Sequence, residues 1–386
     1  MYNLCALSLR LSSRHLHLSR LEMAQAMTVH FLGTSSGGGP SESRNCSSLV
    51  VDCLKTGQLW SITGTTRQFA FQPHDTPLWL KPQNVSKMFI THLHADHILG
   101  ITGFLRNVLF APSIDPNVVV PANPTPRIEI YGPAGIRNFV RSTLIMTLTS
   151  TAEKFVVHEL LSTDDAPTPC SPEVMHSSEL VGRDIHCTED GFWRNFTQGE
   201  GVFGDVVVDA GPILHRDPCL GYIFRETGEP KRKLVILGDT YDADPIIPLC
   251  REASLLIHEA TEAHIPSEIN PQYKRSLETV QRVALARGHS IPQQAGAFAK
   301  TIGLKSLFPA PRYERDKRVN VMREIERQAT EAWDSGRNAI AAYDFMRVAV
   351  PAPASMAHAS RMQQVSYADP SEGLVYVDKR SNKRKR

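Results

Sequence analysis

A histidine-rich hexapeptide constrains the fold of this 386-residue chain more than any other part of its sequence. It begins at His92, continues through His94 and Asp96 to His97, and follows the apolar run 85–90, which predicts a β-strand. A strand turns alternate residues to one side, so His92 and His94 share a face at its end. Imidazole and carboxylate donors at this density favour Zn²⁺, with manganese or iron as alternatives. The hexapeptide therefore predicts a metal centre where a strand runs into a helix.

Further donors stand at the ends of later predicted strands or at the start of a helix: His215, Asp239, Glu259 and His289. Taken singly, each of these side chains fits a core or capping role as well as a ligand role. Together with the hexapeptide they predict one site, because the ends of strands are where a sheet brings distant residues together.

The order of the predicted elements favours two sheets sandwiched between helical layers, because strands come first in a run and then alternate with helices. The predicted strands cover 28–32, 48–53, 85–90, 127–131, 202–210, 220–225, 233–237 and 254–258, and the predicted helices 98–110, 243–250, 275–287, 291–302 and 316–334. Residues 162–200, rich in Ser, Thr, Asp, Glu and Pro, predict a surface insertion. A hydrophobic content of 41% suffices for a proper core, and no stretch approaches the roughly 18 apolar residues of a membrane span.

Charge is concentrated at the two ends of the chain. Residues 1–20 carry three arginines and no acid, and residues 379–386 carry six basic residues. Since the whole chain has a net charge of +2, residues 21–378 carry about −7. The basic end of the tail, 351–386, predicts a nuclear-localisation or phosphate-contacting segment, with a solvated end as the alternative. Seven cysteines without a CxxC pair favour a reducing compartment.

The leader, residues 1–26, has the composition of a mitochondrial presequence. It is rich in Leu, Ser and Arg and has no acidic residue before Glu22. A disordered leader, or a translation start at Met23 or Met27, is the alternative interpretation. The leader predicts a mitochondrial location, the basic tail a nuclear one, and a chain without either signal would stay in the cytoplasm.

Six short blocks accompany the hexapeptide at characteristic spacings. They are Phe31-Leu32-Gly33-Thr34-Ser35-Ser36-Gly37 with Pro40, Arg44 and Asn45; Tyr131-Gly132-Pro133-Ala134-Gly135; His215 with Leu220-Gly221-Tyr222; Gly238-Asp239-Thr240; His258-Glu259-Ala260-Thr261; and Gly288-His289-Ser290. Together with the hexapeptide they resemble the ribonuclease Z family, the tRNA 3′-processing endonucleases of the metallo-β-lactamase superfamily. The resemblance covers residues 28 to about 350.

The resemblance implies a fold, an activity and partners. The fold would be the metallo-β-lactamase αββα sandwich, an α/β arrangement of two mixed sheets flanked by helices, over residues 27–350. The activity would be that of a zinc-dependent endoribonuclease that removes the 3′ trailer from precursor tRNA by phosphodiester hydrolysis, with two Zn²⁺ ions as cofactor. Members of the family are commonly homodimers, so a homodimer is expected, and no membrane partner.

The resemblance also implies a role for each candidate residue. One zinc would be held by His92, His94 and His215, and the other by Asp96, His97 and a late histidine, with Asp239 bridging the two. Asp96 would in addition orient or deprotonate the attacking water. His289, steadied by Glu259, would protonate or stabilise the leaving oxygen.

The chain departs from the family pattern in three places. Residues 304–313, where the last zinc histidine is expected, contain none, which indicates a segment lost after Leu307, either by a real deletion or through a mis-predicted exon. The second zinc is then short of a ligand unless His358, in the tail, replaces it. The stretch 59–68 lacks the aspartate that is usual there. Only residues 225–234 separate two blocks that enclose a tRNA-gripping arm in short-form members, which leaves RNA binding to 162–200 or to the basic tail.

These departures keep two other functions open. An arm-less relative would use the same chemistry to hydrolyse a small phosphodiester or a sulfate ester. A pseudo-enzyme or RNA-binding remnant would have lost its second zinc site and with it the activity.

Overall fold

A computed structural model of the chain describes residues 26–35, 40, 44–62, 80–109, 124–304, 307–311 and 319–352. The predicted leader up to residue 25, the basic tail and His358 lie outside the described residues. No helix within these ranges is long and apolar enough to cross a lipid bilayer.

The first sheet begins and ends the described part of the chain. Among the described residues it contains nine strands: β1 (Met27–Gly33), β2 (Ser48–Asp52), β3 (Leu59–Ile62), β4 (Val85–Phe89), β5 (Ile128–Pro133), β6 (Phe155–Leu161), β7 (Glu179–Leu180), β8 (Asp184–His186) and β15 (Arg347–Val350). Strands β15, β1, β2 and β3 pair antiparallel, whereas β3, β4, β5 and β6 run parallel. Both β7 and β8 pair with β6 at the edge of the sheet.

The second sheet faces the first and contains six strands in the part of the chain that the structure describes. They are β9 (Trp193–Gly201), β10 (Gly204–Ile213), β11 (Cys219–Glu226), β12 (Lys233–Leu237), β13 (Leu255–Ala260) and β14 (Leu307–Pro311). Strands β9 to β12 form an antiparallel meander, and β12, β13 and β14 run parallel. The mixed order means that the carboxyl ends of β12 and β13 lie at the same edge of the sheet.

Helices cover the outer faces of both sheets. The described helices are α1 (Ala95–Ile98), α2 (Gly100–Val108), α3 (Ile136–Met146), α4 (Ile247–Cys250), α5 (Leu277–Ala286), α6 (Pro292–Thr301) and α7 (Val319–Trp333). The central core between the sheets contains Trp60, Phe89 and Phe224, whose ring centroids lie 5.3–5.8 Å apart. Such aromatic pairs stabilise a core by about 1 kcal/mol each beyond their burial. Phe104 of α2 packs on the first sheet and Trp333 of α7 on the second, which confirms the predicted αββα sandwich.

The surface insertion predicted for residues 162–200 is wrong at the three strands that this segment contributes to the sheets. Residues 193–201 form β9, and Trp193 is buried in the core between the sheets. The short strands β7 and β8 extend the first sheet through pairing with β6. The sequence did not predict β7 and β8, because these strands have low hydrophobicity. Their register depends on β6 and not on their own side chains.

Two buried arginines of α3 fasten this segment to the sandwich. Arg137 donates hydrogen bonds to the carbonyl of Thr168 at 2.5 Å and to the carboxylate of Asp184 at 2.8 Å. Arg141 donates two hydrogen bonds to Glu179, at 2.8 and 2.9 Å. Bidentate arginine–carboxylate pairs are geometrically specific, so the segment is held in one position against the helix.

Candidate metal centre

The predicted donors meet at one edge of the sandwich, where strands from both sheets end. The hexapeptide follows β4 of the first sheet and continues into α1, which contains Asp96 and His97. The second sheet and its helices contribute His215 after β10, Asp239 after β12, Glu259 in β13 and His289 between α5 and α6. The site therefore lies between the two sheets and needs both of them.

Three imidazole rings form the first donor group, and their nitrogens face one another. His92 Nε2 lies 3.1 Å from His94 Nδ1, which lies 3.3 Å from His215 Nε2. The second nitrogen of His92 contacts Thr91 Oγ1 at 3.1 Å, and that of His215 donates to the carbonyl of Gly288 at 2.6 Å. These contacts fix the ring orientations and leave one nitrogen of each ring for a ligand.

A carboxylate connects the first group to a second. Asp239 Oδ2 lies 4.0 Å from His92 Nε2 and 3.6 Å from His97 Nε2. Asp96 Oδ2 lies 3.7 Å from the same nitrogen of His97. The side chain of Asp239 is therefore placed to contact ions in both groups.

A third cluster lies beside the second group and centres on Glu259. Its carboxylate accepts hydrogen bonds from the backbone N–H of Thr240 at 2.8 Å, from His289 Nδ1 at 2.9 Å and from the backbone N–H of Thr261 at 3.1 Å. His289 Nδ1 also lies 3.8 Å from Asp239 Oδ2, which would allow these side chains to share an ion. Three N–H donors already satisfy Glu259, so the geometry favours Glu259 as the group that orients His289.

The protonation states of His92, His215 and Asp239 suit metal ligands. Burial, together with the neighbouring His97 ring, lowers the pKa of His92 to about 2. Burial also lowers the pKa of His215, so both rings are neutral at pH 7 and offer a lone pair. Burial opposes the charge of Asp239, but the nearby imidazoles of His97 and His92 outweigh it and lower its pKa, which keeps the carboxylate ionised.

The donor set fits zinc. The ligand atoms of His92, His94 and His215 all lie within 4.8 Å of one another, as do those of His92, His97 and Asp239. Three imidazoles with one shared carboxylate provide the tetrahedral N/O set that Zn²⁺ prefers. The second group has only His97, Asp96 and Asp239 among the described residues, one protein ligand fewer.

The strand expected to carry the last zinc histidine is present without the histidine. β14 pairs with β13 in parallel, with Pro309 opposite His258 and Ala310 opposite Glu259. The five residues of β14 are Leu-Phe-Pro-Ala-Pro, which contain no ligand side chain. The second group therefore lacks a ligand because of the residue types in β14, although β14 pairs with β13 along its whole length.

Two functional contacts at the site were missed by the sequence reasoning. Asp217 Oδ2 accepts a hydrogen bond from His94 Nε2 at 2.7 Å. Asp344 accepts hydrogen bonds from Thr34 Oγ1 at 2.6 Å and from the backbone N–H of Asn45 at 2.7 Å, which holds the opening loop beside the site. No local pattern distinguishes either aspartate from an ordinary surface or loop residue.

The geometry of the site and a structural comparison first define the fold class of the chain. No protein-family profile matches the chain. The metallo-β-lactamase fold protein YhfI from Bacillus subtilis, at 16% identity, aligns with 84% of this chain and 100% of its own, with a TM-score of 0.50. Two stacked sheets with donors at one edge, and this likeness, place the chain in the metallo-β-lactamase fold class.

Closer relatives narrow the class. Ribonuclease Z of Streptococcus gordonii is 32% identical over 311 residues, covering 73% of this chain and 88% of the relative. Zinc phosphodiesterase ELAC protein 1 of Mus musculus is 30% identical over 392 residues, covering 84% and 99%. The crystal structure of human tRNase Z, short form (ELAC1), aligns with a TM-score of 0.58 at 30% identity, over 84% of this chain and 100% of that one. The chain belongs to the ribonuclease Z family.

Proposed function

We propose that this protein is a zinc-dependent endoribonuclease that removes the 3′ trailer from precursor tRNA by phosphodiester hydrolysis. The observation that carries the proposal is the pair of donor groups that share Asp239, in a chain whose relatives are named ribonuclease Z, zinc phosphodiesterase and tRNase Z. Two adjacent metal ions are the arrangement that phosphodiesterases use to bind the attacking and the leaving oxygen.

The proposed metal ligands follow the two donor groups. His92, His94 and His215 would hold one zinc, Asp96 and His97 the other, and Asp239 would be a ligand of both. Bound zinc supplies Lewis-acid polarisation of the phosphate and lowers the pKa of a nearby water.

The chain's own side chains move the protons. Asp96 orients the attacking water and accepts its proton, which its position beside His97 permits. His289 donates Nδ1–H to Glu259, which leaves Nε2 for the leaving oxygen of the cleaved bond. Glu259 is a positioning residue, because it acts through the ring that it holds.

RNA binding is assigned to the basic tail, because the other candidate surface has the wrong charge. Residues 162–200 contain eight acidic residues and two arginines, a composition that repels a phosphate backbone. The turn between β11 and β12 spans only 227–232, too short for a gripping arm. The six basic residues at 379–386 offer the sequence-independent attraction that remains.

Deleting residues 379–386 tests this assignment. The slope of log K against log salt for precursor tRNA should become less negative by up to about 4 to 5, as expected from the loss of six cation–phosphate contacts. A variant in which the six residues become alternating Gly and Ser controls for length. An unchanged slope would assign RNA binding to another surface.

A homodimer is proposed on the apolar side chains exposed along α1, α2 and α3. Leu99 is 62% exposed, Met146 82% and Leu148 91%. Leu93, between the candidate ligands His92 and His94, is also exposed and lies against Gly135 at the start of α3. Analytical ultracentrifugation should give a dimer for the parent chain and a monomer for Met146→Glu/Leu148→Glu; a monomeric parent would end this proposal.

Mitochondrial import is proposed from the leader, with residues 1 to about 22 removed after import. Fluorescent fusions of the full chain and of a chain starting at Met23 should differ in location, the first mitochondrial and the second not. Identical distributions would exclude a targeting role. A nuclear signal that disappears when 379–386 are deleted would favour the tail as the address.

The activity is tested with a precursor tRNA labelled at its 5′ end. The zinc-loaded chain should produce one fragment that ends after the discriminator base, and Asp96→Ala should not. Cleavage of bis(p-nitrophenyl) phosphate without cleavage of precursor tRNA would favour the arm-less relative that acts on small diesters. Bound precursor tRNA without cleavage of either substrate would favour the pseudo-enzyme.

A further inference from the structure

The three rings of the first donor group are each held at their second nitrogen, but by partners of different kinds. His92 contacts a threonine hydroxyl and His215 a backbone carbonyl, whereas His94 Nε2 donates to the carboxylate of Asp217 at 2.7 Å. His92 is fully buried, so packing also fixes its ring. The side chain of His94 is 26% exposed, so less packing opposes its rotation.

Asp217 is carried by the loop that also carries a metal ligand. The loop, residues 214–218, joins β10 to β11, and His215 lies two residues before Asp217. Gly288 packs closely against this loop. A side chain at position 288 would place its Cβ atom 2.7 Å from His215 Nδ1 and 3.0 Å from the backbone nitrogen of Arg216. The loop is therefore fixed against the 288–289 segment, and the position of the Asp217 backbone is fixed with it.

We propose that Asp217 is a positioning residue of the metal centre. Its carboxylate holds the His94 ring with Nδ1 turned towards His92 and His215, and it connects the β4–α1 loop of the first sheet to the β10–β11 loop of the second. A metal-binding histidine whose second nitrogen is held by a carboxylate is restricted to one tautomer and one orientation, which strengthens metal binding by about 10- to 100-fold. The role concerns the first ion and holds for any substrate of this site.

The test measures zinc affinity and not only rate. Zinc-free full-length chain is titrated with Zn²⁺ against a chromophoric chelator, for the parent, Asp217→Ala and Asp217→Asn. The dissociation constant of the tightest zinc should rise by about 10- to 100-fold in Asp217→Ala. It should rise less in Asp217→Asn, whose amide oxygen still accepts a hydrogen bond from His94. The Co²⁺-substituted proteins should differ in their visible absorption in the same order.

Asp164→Asn is the matched control, because Asp164 is an exposed aspartate on the segment fastened by Arg137 and Arg141 and belongs to none of the donor groups. Its zinc affinity should equal that of the parent. Saturating zinc should restore hydrolysis of bis(p-nitrophenyl) phosphate by Asp217→Ala. Two results would overturn the proposal: a first-zinc affinity of Asp217→Ala within about twofold of the parent, or a rate that stays low at saturating zinc. Circular dichroism checks folding, and Asp217→Asn provides the same comparison if Asp217→Ala unfolds.

Discussion

In the first donor group every ring has a partner for its second nitrogen, whereas in the second group the buried Nδ1 of His97 has no hydrogen-bond partner among the described residues. The first group also has three imidazoles before the shared Asp239 is counted, and the second has one imidazole and Asp96. The two halves of one metal centre thus differ in ligand number and in support. A site with fewer protein ligands and without a partner for the second nitrogen of its imidazole binds a metal ion less tightly, so the second ion should bind more weakly.

The two donor groups also differ in the elements of the fold that carry them. The first group joins a loop of the first sheet to a loop of the second, and both loops are anchored by backbone contacts. The second group depends on β14 for its last ligand, and β14 offers Ala310 at the register position opposite Glu259. Because the histidine that the resemblance to the family implies is absent from 304–313, we expect weaker metal binding on the side of the centre that faces β13 and β14.

The largest effect is expected for Asp96→Ala, which removes a ligand of the second ion and the proposed base together. The rate of precursor tRNA cleavage should fall by about 10²- to 10⁴-fold while the thermal unfolding midpoint changes little. Asp96 sits in the first turn of α1 and is not part of the apolar core, so the fold should survive. A variant that retains more than about a tenth of the parent rate would remove Asp96 from the mechanism.

Zinc stoichiometry is expected to separate the two halves directly. The dialysed chain should retain close to one zinc, because the second ion should bind at least about 100-fold more weakly than the first. Ala310→His places an imidazole on β14 opposite Glu259 and should raise the count to two and increase the rate; Ala310→Ser is the control.

The parent chain can contradict this expectation. If it already holds two zinc ions after dialysis, a residue outside the second group supplies the missing ligand. His358, which lies beyond the described residues, would then be replaced by alanine first.

Glu259→Gln should separate orientation of His289 from general stability. The amide would set its NH₂ group against backbone or ring N–H donors, which costs about 1–3 kcal/mol and releases His289. The rate should fall by about 10- to 100-fold. Glu262→Gln is the matched control, because Glu262 is equally buried and accepts hydrogen bonds from Arg275 and Arg287 outside the donor groups. Equal losses of rate in both variants would make Glu259 a purely structural residue.

The smallest effect concerns Asp344, which accepts hydrogen bonds from Thr34 and Asn45 beside the second group. Burial raises the pKa of Asp344 to about 6, against the opposing hydrogen bond from Thr34. The folded protein therefore binds this proton more tightly than the unfolded chain, and the cost of ionised Asp344 is present above pH 6 and lost as the pH falls towards 4. The shift corresponds to about 3 kcal/mol at most.

Urea unfolding of the parent and of Asp344→Asn, at pH 7.5 and at pH 5, measures this contribution. The parent should gain stability relative to the variant as the pH falls, and zinc loss, common to both, cancels in the difference. A difference between the two proteins that does not depend on pH would show that Asp344 does not titrate in this range.

Much of the site could be predicted because its donors are strongly patterned. Four of them fall within the hexapeptide, and the strand period alone puts His92 and His94 on one face. His215, Asp239 and Glu259 could be placed at strand ends and so in one site with the hexapeptide, and the likeness to a family then gave each of them a role. Asp217 could not be predicted, because an aspartate in an exposed loop carries no signal until the loop is folded against His94.

The sequence by itself determined the metal chemistry, the two-sheet architecture and the absence of the late histidine from 304–313, because residue type, hydrophobic period and spacing are local properties. Only the tertiary structure decided that residues 162–200 contribute strands to both sheets, β7 and β8 to the first and β9 to the second. Such short strands take their register from a neighbouring strand. The tertiary structure also decided which side chain holds each ring. A hydrogen bond such as that between His94 and Asp217 joins residues 123 positions apart, and its existence depends on how two sheets pack face to face.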